Sequence, residues 1–258
     1  SWQIIMDLSF DEFYSFTSTI TKEAAEIILS QNQNLVANTK RDGTIVTESD
    51  LLVERHMRSR IEDKYQEHGI IGEEFTDHQA DARYVWVIDP IDGTTSYFHG
   101  TPLFGTLVGL LKDGQPVYGA LRLPVLEQMV AGDGDRCVIN GQDAKAKNFV
   151  SWEESLLLTS DERRIEKSMY SDSWNELKNK GGTFRTWGDC YGYYLLCSGK
   201  ADAMFDIQLK PCDILPLLPI VTGAGCETID FGDIPNQDLA VCVPGLGGKV
   251  ANLFSKEK

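Results

Sequence analysis

Apolar residues recur at helical spacing over "SFDEFYSFTSTITKEAAEIILSQ", residues 9–31, with Phe10, Phe13, Ile20, Ala24 and Ile27/Ile28 on one side. This predicts an amphipathic helix. "NTKRDGTIVTESD" then breaks the period with a turn at Asp42-Gly43 and a short β-branched run. A second helix is predicted through "LLVERHMRSRIEDKY", capped by Ser49 or Asp50. "HGIIGEEF" reads as a short strand ending in acids, and "RYVWVIDP" as a stronger one. Residues 103–134 read as three strands, with a hairpin at Asp113-Gly114 and a link near Pro124.

The pattern changes near residue 146. "SLLLTS" and "ADAMFDI" read as strands, while "DERRIEKSMYSDSWNELKNK", "CYGYYLLCSG" and "DILPLLPIVTGAG" read as helices, with short strands in the tail. Alternation of this kind predicts a layered α/β half over 146–258, joined to an α+β half over 1–145. No repeat or flexible linker separates them, so the two halves are expected to share one extensive interface.

Composition narrows the function classes. The chain has 258 residues and a net charge of -15, which argues against nucleic acid as a partner, because phosphate backbones are held by a surplus of Lys and Arg. No stretch approaches the roughly 18 apolar residues of a membrane span. The opening "SWQIIM" lacks a signal peptide's basic flank and cleavage site. Six cysteines are scattered without a C-x-x-C pair, which reads as reduced thiols and predicts a cytoplasmic protein, or one of an organellar matrix after loss of a transit segment.

Candidate chemistry lies in "GEE" and "DPIDGTT". Singly, Glu73, Glu74, Asp89 or Asp92 would be a solvated surface charge. Together, at the ends of what should be neighbouring strands, they form a set of hard oxygen donors without His or Cys, which suits Mg²⁺. Gly93 and the hydroxyl residues after it can offer successive N–H groups to an anion. Lys40 is a candidate to neutralise the acids or approach the phosphate, against the ordinary reading of a solvated lysine. His99 reads as a loop residue without a role.

"DGTIVTESD", "GEE", "WVIDPIDGTTSY" and "KPCDILPLLPIVTGAG", in this order, resemble the inositol monophosphatase-like superfamily of Mg²⁺-dependent phosphomonoesterases. The resemblance implies an αβαβα sandwich of the sugar-phosphatase superfold, a small phosphorylated substrate, two or three Mg²⁺ ions and a homodimer. It implies metal ligands at Glu73, Asp89, the Ile91 carbonyl, Asp92 and Asp213, and phosphate contacts at Gly93 and Thr94. Asp50 and Thr94 would orient the attacking water, with Glu73 completing the catalytic set. Ser96, Asp189 and the lack of Trp in "LKPCD" look more like the histidinol-phosphate phosphatase branch. In that branch Asp92, Asp189 and Asp206 would face the leaving group, with Arg185 either holding these acids in position or simply forming an ion pair. An inositol monophosphatase or broad phosphatase is the alternative, and a metal-binding regulatory protein without turnover is one of a different class.

Overall fold

The computed structural model describes residues 7–31 and 35–255. The opening residues 1–6, read above for signal-peptide features, lie outside the described residues. Helix α1 (Phe10–Ser30) starts where Ser9, in an extended conformation, accepts the Glu12 N–H at 3.1 Å. Its buried face of Phe13, Phe16, Ile20, Ala24 and Ile28 is the predicted apolar stripe. Strands β1 (Ala37–Thr39) and β2 (Ile45–Thr47) form a hairpin that feeds helix α2 (Glu48–Lys64). The cap of α2 is Thr47 and not Ser49 or Asp50. Asp50 sits one turn in and accepts the Thr47 N–H at 2.7 Å, because only Thr47 holds the extended backbone that a cap requires.

Strands β3 (Gly69–Gly72) and β4 (Tyr84–Asp92) are parallel neighbours, with Gly72 opposite Ile88. Their acid-bearing ends therefore meet, as the sequence predicts. A short helix α3 (Thr94–Phe98) follows. Then β5 (Gly105–Lys112), β6 (Gln115–Leu123), β7 (Gln128–Gly132), β8 (Cys137–Ile139) and β9 (Gln142–Asp143) complete a seven-stranded sheet by antiparallel pairing. The β5–β6 turn is Asp113-Gly114, both at positive φ (51° and 79°), as a tight hairpin of this twist needs.

The second sheet has five strands: β10 (Leu156–Thr159), β11 (Thr183–Arg185), β12 (Ala203–Asp206), β13 (Glu227–Asp230) and β14 (Leu239–Cys242). The single helix predicted over 161–180 is two, α4 (Glu162–Glu166) and α5 (Ser171–Lys178). Between them Ser168 donates to the Ile165 carbonyl and accepts the Tyr170 N–H, a local turn that competes with the helical ladder. Helix α6 (Asp189–Cys197) follows the prediction. The helix predicted over 213–225 is α7 (Pro211–Ile214) and α8 (Leu218–Gly223), split where Pro216 has no N–H to donate. The tail adds a helix, α9 (Gly247–Phe254), whose Gly247-Gly248 start concealed it in the pattern.

Helices α1 and α2 cover one face of the large sheet; α6, α7 and α8 fill the space between the sheets; α5 and α9 cover the far face of the small sheet. The fold is an αβαβα layered sandwich. One core cluster joins Leu107, Leu121 and Val130 of the first sheet to Leu158, Met204 and Val241 of the second. Glycines set the spacing at the middle layer. A Cβ on Gly119 would lie 1.8 Å from the Pro216 carbonyl oxygen, and one on Gly109 would lie 2.9 Å from Pro216 Cα. That close approach brings α7 to the end of β4. All six cysteines are free and buried. Among the described residues no helix is long and apolar enough to cross a membrane.

His68 stacks on Tyr65 at 4.8 Å, and its Nδ1 accepts the Trp86 indole N–H at 3.0 Å, so the ring is neutral with its proton on Nε2. Burial lowers its pKa, offset in part by the nearby Glu12 and Glu67 charges. The unfolded chain then takes up a proton more readily than the folded one, so stability is full above the unfolded pKa and is lost as pH falls below it. Wild type should lose Tm between about pH 7 and about pH 5 more steeply than His68→Gln. Parallel Tm curves for the two proteins would show that His68 is not the group responsible.

Candidate active site

Strand β4 does not stop before its acids but runs through Asp92. Asp89 pairs with Leu107 and Asp92 with Gly105, so β4 carries one extra residue at Pro90-Ile91. Pro90 has no N–H to lose, and its carbonyl accepts the Thr106 hydroxyl at 2.8 Å, which fixes the bulge. Residues three apart in a regular strand face opposite ways; the bulge re-aims one of them. As a result, carboxylate oxygens of Asp89, Asp92 and Asp213 lie within 4.8 Å of one another. Asp213 arrives from the first turn of α7, where it accepts the Lys210 N–H at 2.9 Å. It is therefore the third residue of the helix and not its cap.

These acids line a cavity of about 330 Å³, together with Glu73, Thr94, Asp189 and Asp206. Burial, then the Asp92 charge, pushes the Asp89 carboxyl well above the usual carboxylate range. Burial, then Asp189, does the same to Asp92, and burial brings Asp213 up to about 6. Among the described residues no ammonium or guanidinium pairs with any of the three. Two buried carboxylates and a half-buried one, offering only oxygen donors and with no side-chain cation paired to them, fit a hard divalent cation.

Glu73 stands at the rim of this trio. Its Oε1 lies 3.2 Å from Lys40 Nζ and 3.6 Å from Lys210 Nζ. Glu74 is turned away, held by Lys40 at 2.7 Å. On another side Asp50 is buried; its Oδ1 accepts the Thr94 hydroxyl at 3.0 Å while its Oδ2 takes both the Thr47 N–H and hydroxyl at 2.7 Å. The Thr94 oxygen is also 2.9 Å from the Ile91 carbonyl, so its single proton has two acceptors. Gly93, at φ 88°, ends the bulged strand and opens α3, whose first N–H groups have no acceptor within the helix.

The opposite wall is acidic too. Asp189, the first residue of α6, sits at φ 51°, and its Oδ2 would be 3.3 Å from a Cβ placed on Gly93. No hydrogen bond reaches its carboxylate among the described residues, and burial, then Asp206, pushes it up to about 7. Asp206 is better satisfied, accepting the Ser160 N–H at 3.1 Å and the Tyr193 hydroxyl at 2.8 Å.

The family model for inositol monophosphatases matches residues 9–250. The chain belongs to the inositol monophosphatase family. It is thus a phosphatase by family, of a class that hydrolyses phosphomonoesters. A histidinol-phosphatase of Chlorobaculum parvum is 32% identical over 200 residues, covering 77% of each chain. A bifunctional chloroplastic phosphatase of Arabidopsis thaliana is 32% identical over 231 residues, covering 88% of this chain and 66% of its own length. A solved inositol monophosphatase from Zymomonas mobilis is 28% identical, with a TM-score of 0.84, covering 96% of this chain and 99% of that one.

Among the positions the family resemblance singled out, the fold brings Asp50, Glu73, Asp89, Ile91, Asp92, Gly93, Thr94, Asp189, Asp206 and Asp213 together. Arg185 is the exception. It lies exposed on the edge strand β11, donates to the Phe184 carbonyl and stacks over Trp187, so it does not hold the acids. The cation beside them is Arg164, which lines the cavity from α4 and favours the charged forms of Asp189 and Asp206. A polar surface helix offered no signal for it. Sequence reasoning also passed over Glu54. This fully buried carboxylate accepts the Glu74 and Phe75 N–H groups and the Arg58 guanidinium at 3.0 Å, which fixes the turn that presents Glu73.

Proposed function

We propose that the chain is a divalent-cation-dependent phosphatase that hydrolyses L-histidinol phosphate to L-histidinol and phosphate, a step of histidine biosynthesis. The observation that carries the substrate is the Asp189 carboxylate, half-buried, without a donor among the described residues, and facing the acidic trio across one cavity. Histidinol phosphate presents an ammonium group and an imidazole, and a half-buried carboxylate lacking a partner is stabilised by such a cation. Asp206, fixed by Ser160 and Tyr193, adds charge behind it. Arg164 at the cavity wall favours the charged forms of both acids, against the burial that raises their pKa.

In this reading Glu73, Asp89, the Ile91 carbonyl, Asp92 and Asp213 hold Mg²⁺. When bound, such ions supply Lewis-acid stabilisation for charge on the phosphoryl oxygens. Without a cation, the acids of the cavity repel a phosphate dianion. The Gly93 and Thr94 N–H groups orient the phosphate. Asp50 accepts the Thr94 proton, which leaves the Thr94 oxygen free to accept a proton from the attacking water and align it.

Kinetics on histidinol phosphate and inositol monophosphate test the assignment. Wild type should prefer the histidinol ester. Asp189→Asn keeps size and tolerates the left-handed backbone, and should lower kcat/KM for that ester about 10- to 100-fold while changing inositol monophosphate far less. Equal losses would mean that Asp189 shapes the site without reading charge. Wild-type preference for inositol monophosphate would make the chain an inositol monophosphatase.

A further inference from the structure

Lys210 caps α7 three residues before Asp213, and its ammonium reaches back across the site. Its Nζ lies 2.7 Å from Asp42 Oδ2, at the tip of the β1–β2 hairpin, and 3.6 Å from Glu73 Oε1. That same Glu73 oxygen is 3.2 Å from Lys40. One carboxylate oxygen thus faces two ammonium groups. Lys40 has a second partner in Glu74, at 2.7 Å, and Lys210 has Asp42, so each lysine is tethered on the far side of Glu73.

We propose that Lys210 is a tethered counter-cation that sets how weakly this chain holds a divalent metal. It acts by occupying Glu73 and by holding a positive charge at the wall of the cavity that Asp213 also lines. The inference rests on the reading of these acids as a cation site. A divalent ion that recruits Glu73 must first draw it away from the lysines, and it binds against the Lys210 charge throughout. The competing view is an ordinary surface ion pair: Lys210 and Asp42 are 45% and 43% exposed, and such pairs contribute little. The two views predict different metal affinities.

The test is calorimetric titration of the chelator-stripped full chain with Mg²⁺ alone, alongside Tm in chelator. Lys210→Met keeps the aliphatic stem and removes the charge. Its Mg²⁺ Kd should tighten about fivefold, the factor for a unit charge about 8 Å from a divalent ion in water, while its Tm in chelator falls. Lys210→Arg should keep the wild-type Kd. Asp42→Asn cuts the tether but leaves the ammonium, and should not tighten Kd. Lys210→Gln takes the place of the Met variant should that one fold poorly. An unchanged Kd in Lys210→Met, or an equal tightening in Asp42→Asn, would overturn the proposal, the second because hairpin release and not charge would then be the cause. A wild type that gives neither heat nor a Tm shift with Mg²⁺ would overturn the cation-site reading and this inference with it, a result distinct from binding that Lys210→Met leaves unaltered.

Discussion

Asp89→Asn should abolish Mg²⁺-dependent phosphate release, by on the order of 10³-fold or more, and yet leave a folded protein. Asp89 lies among other acids: Asp92, Glu73, Asp213 and Asp50 all raise its pKa, after burial itself. An amide keeps the shape and removes the charge that a cation would need. The same change relieves repulsion in the cation-free protein, so Tm in chelator should rise while Tm in excess Mg²⁺ gains less than wild type does. Loss of activity together with a higher chelator Tm is the signature of an acid retained for function against stability. Near wild-type turnover in this variant would show that the trio is not the metal centre.

Thr94→Ala should lower kcat by about 10²-fold with little change in Mg²⁺ affinity. The substitution removes the hydroxyl that lies 3.0 Å from Asp50 and 2.9 Å from the Ile91 carbonyl, but no carboxylate of the trio. Asp50 keeps its Thr47 contacts and so keeps its place at the start of α2. Asp50→Asn should act on the same step, and the double variant should be little worse than either single one, because the pair works as a unit. A raised KM with unchanged kcat would instead make Thr94 a phosphate anchor only.

Much of this site was legible because its acids sit at strand ends. Short apolar runs located β3 and β4, and acids closing two adjacent strands must share one sheet edge. What the pattern could not show was how Asp89 and Asp92 come to face the same way. That depends on the bulge at Pro90-Ile91, a register shift against Leu107 and Gly105 that exists only once β5 has paired. Asp213 was assigned by resemblance alone, since its position follows from how α7 docks on the sheet. Arg185 failed and Arg164 was missed for one reason: both belong to short exposed segments whose direction is set by neighbouring elements and not by local periodicity. The two long helices predicted in the second half were broken by Ser168 and Pro216, local features that helical spacing does not register.

The glycines under Pro216 have a consequence for how such a site can drift. Gly109 and Gly119 already stand at the smallest side chain there is, with the Pro216 backbone where a Cβ would go. Every substitution at either position is therefore an enlargement, and none can be compensated by a smaller residue at the same place. Variation there is one-sided: it can lift the α7–α8 corner off the sheet and carry Asp213 away from Asp89 and Asp92, but it cannot press them closer. The present separation is a floor set by backbone contact, so descendants of this chain can retune the cation site through charge, as at Lys210, while its narrowest dimension has only one direction in which to change.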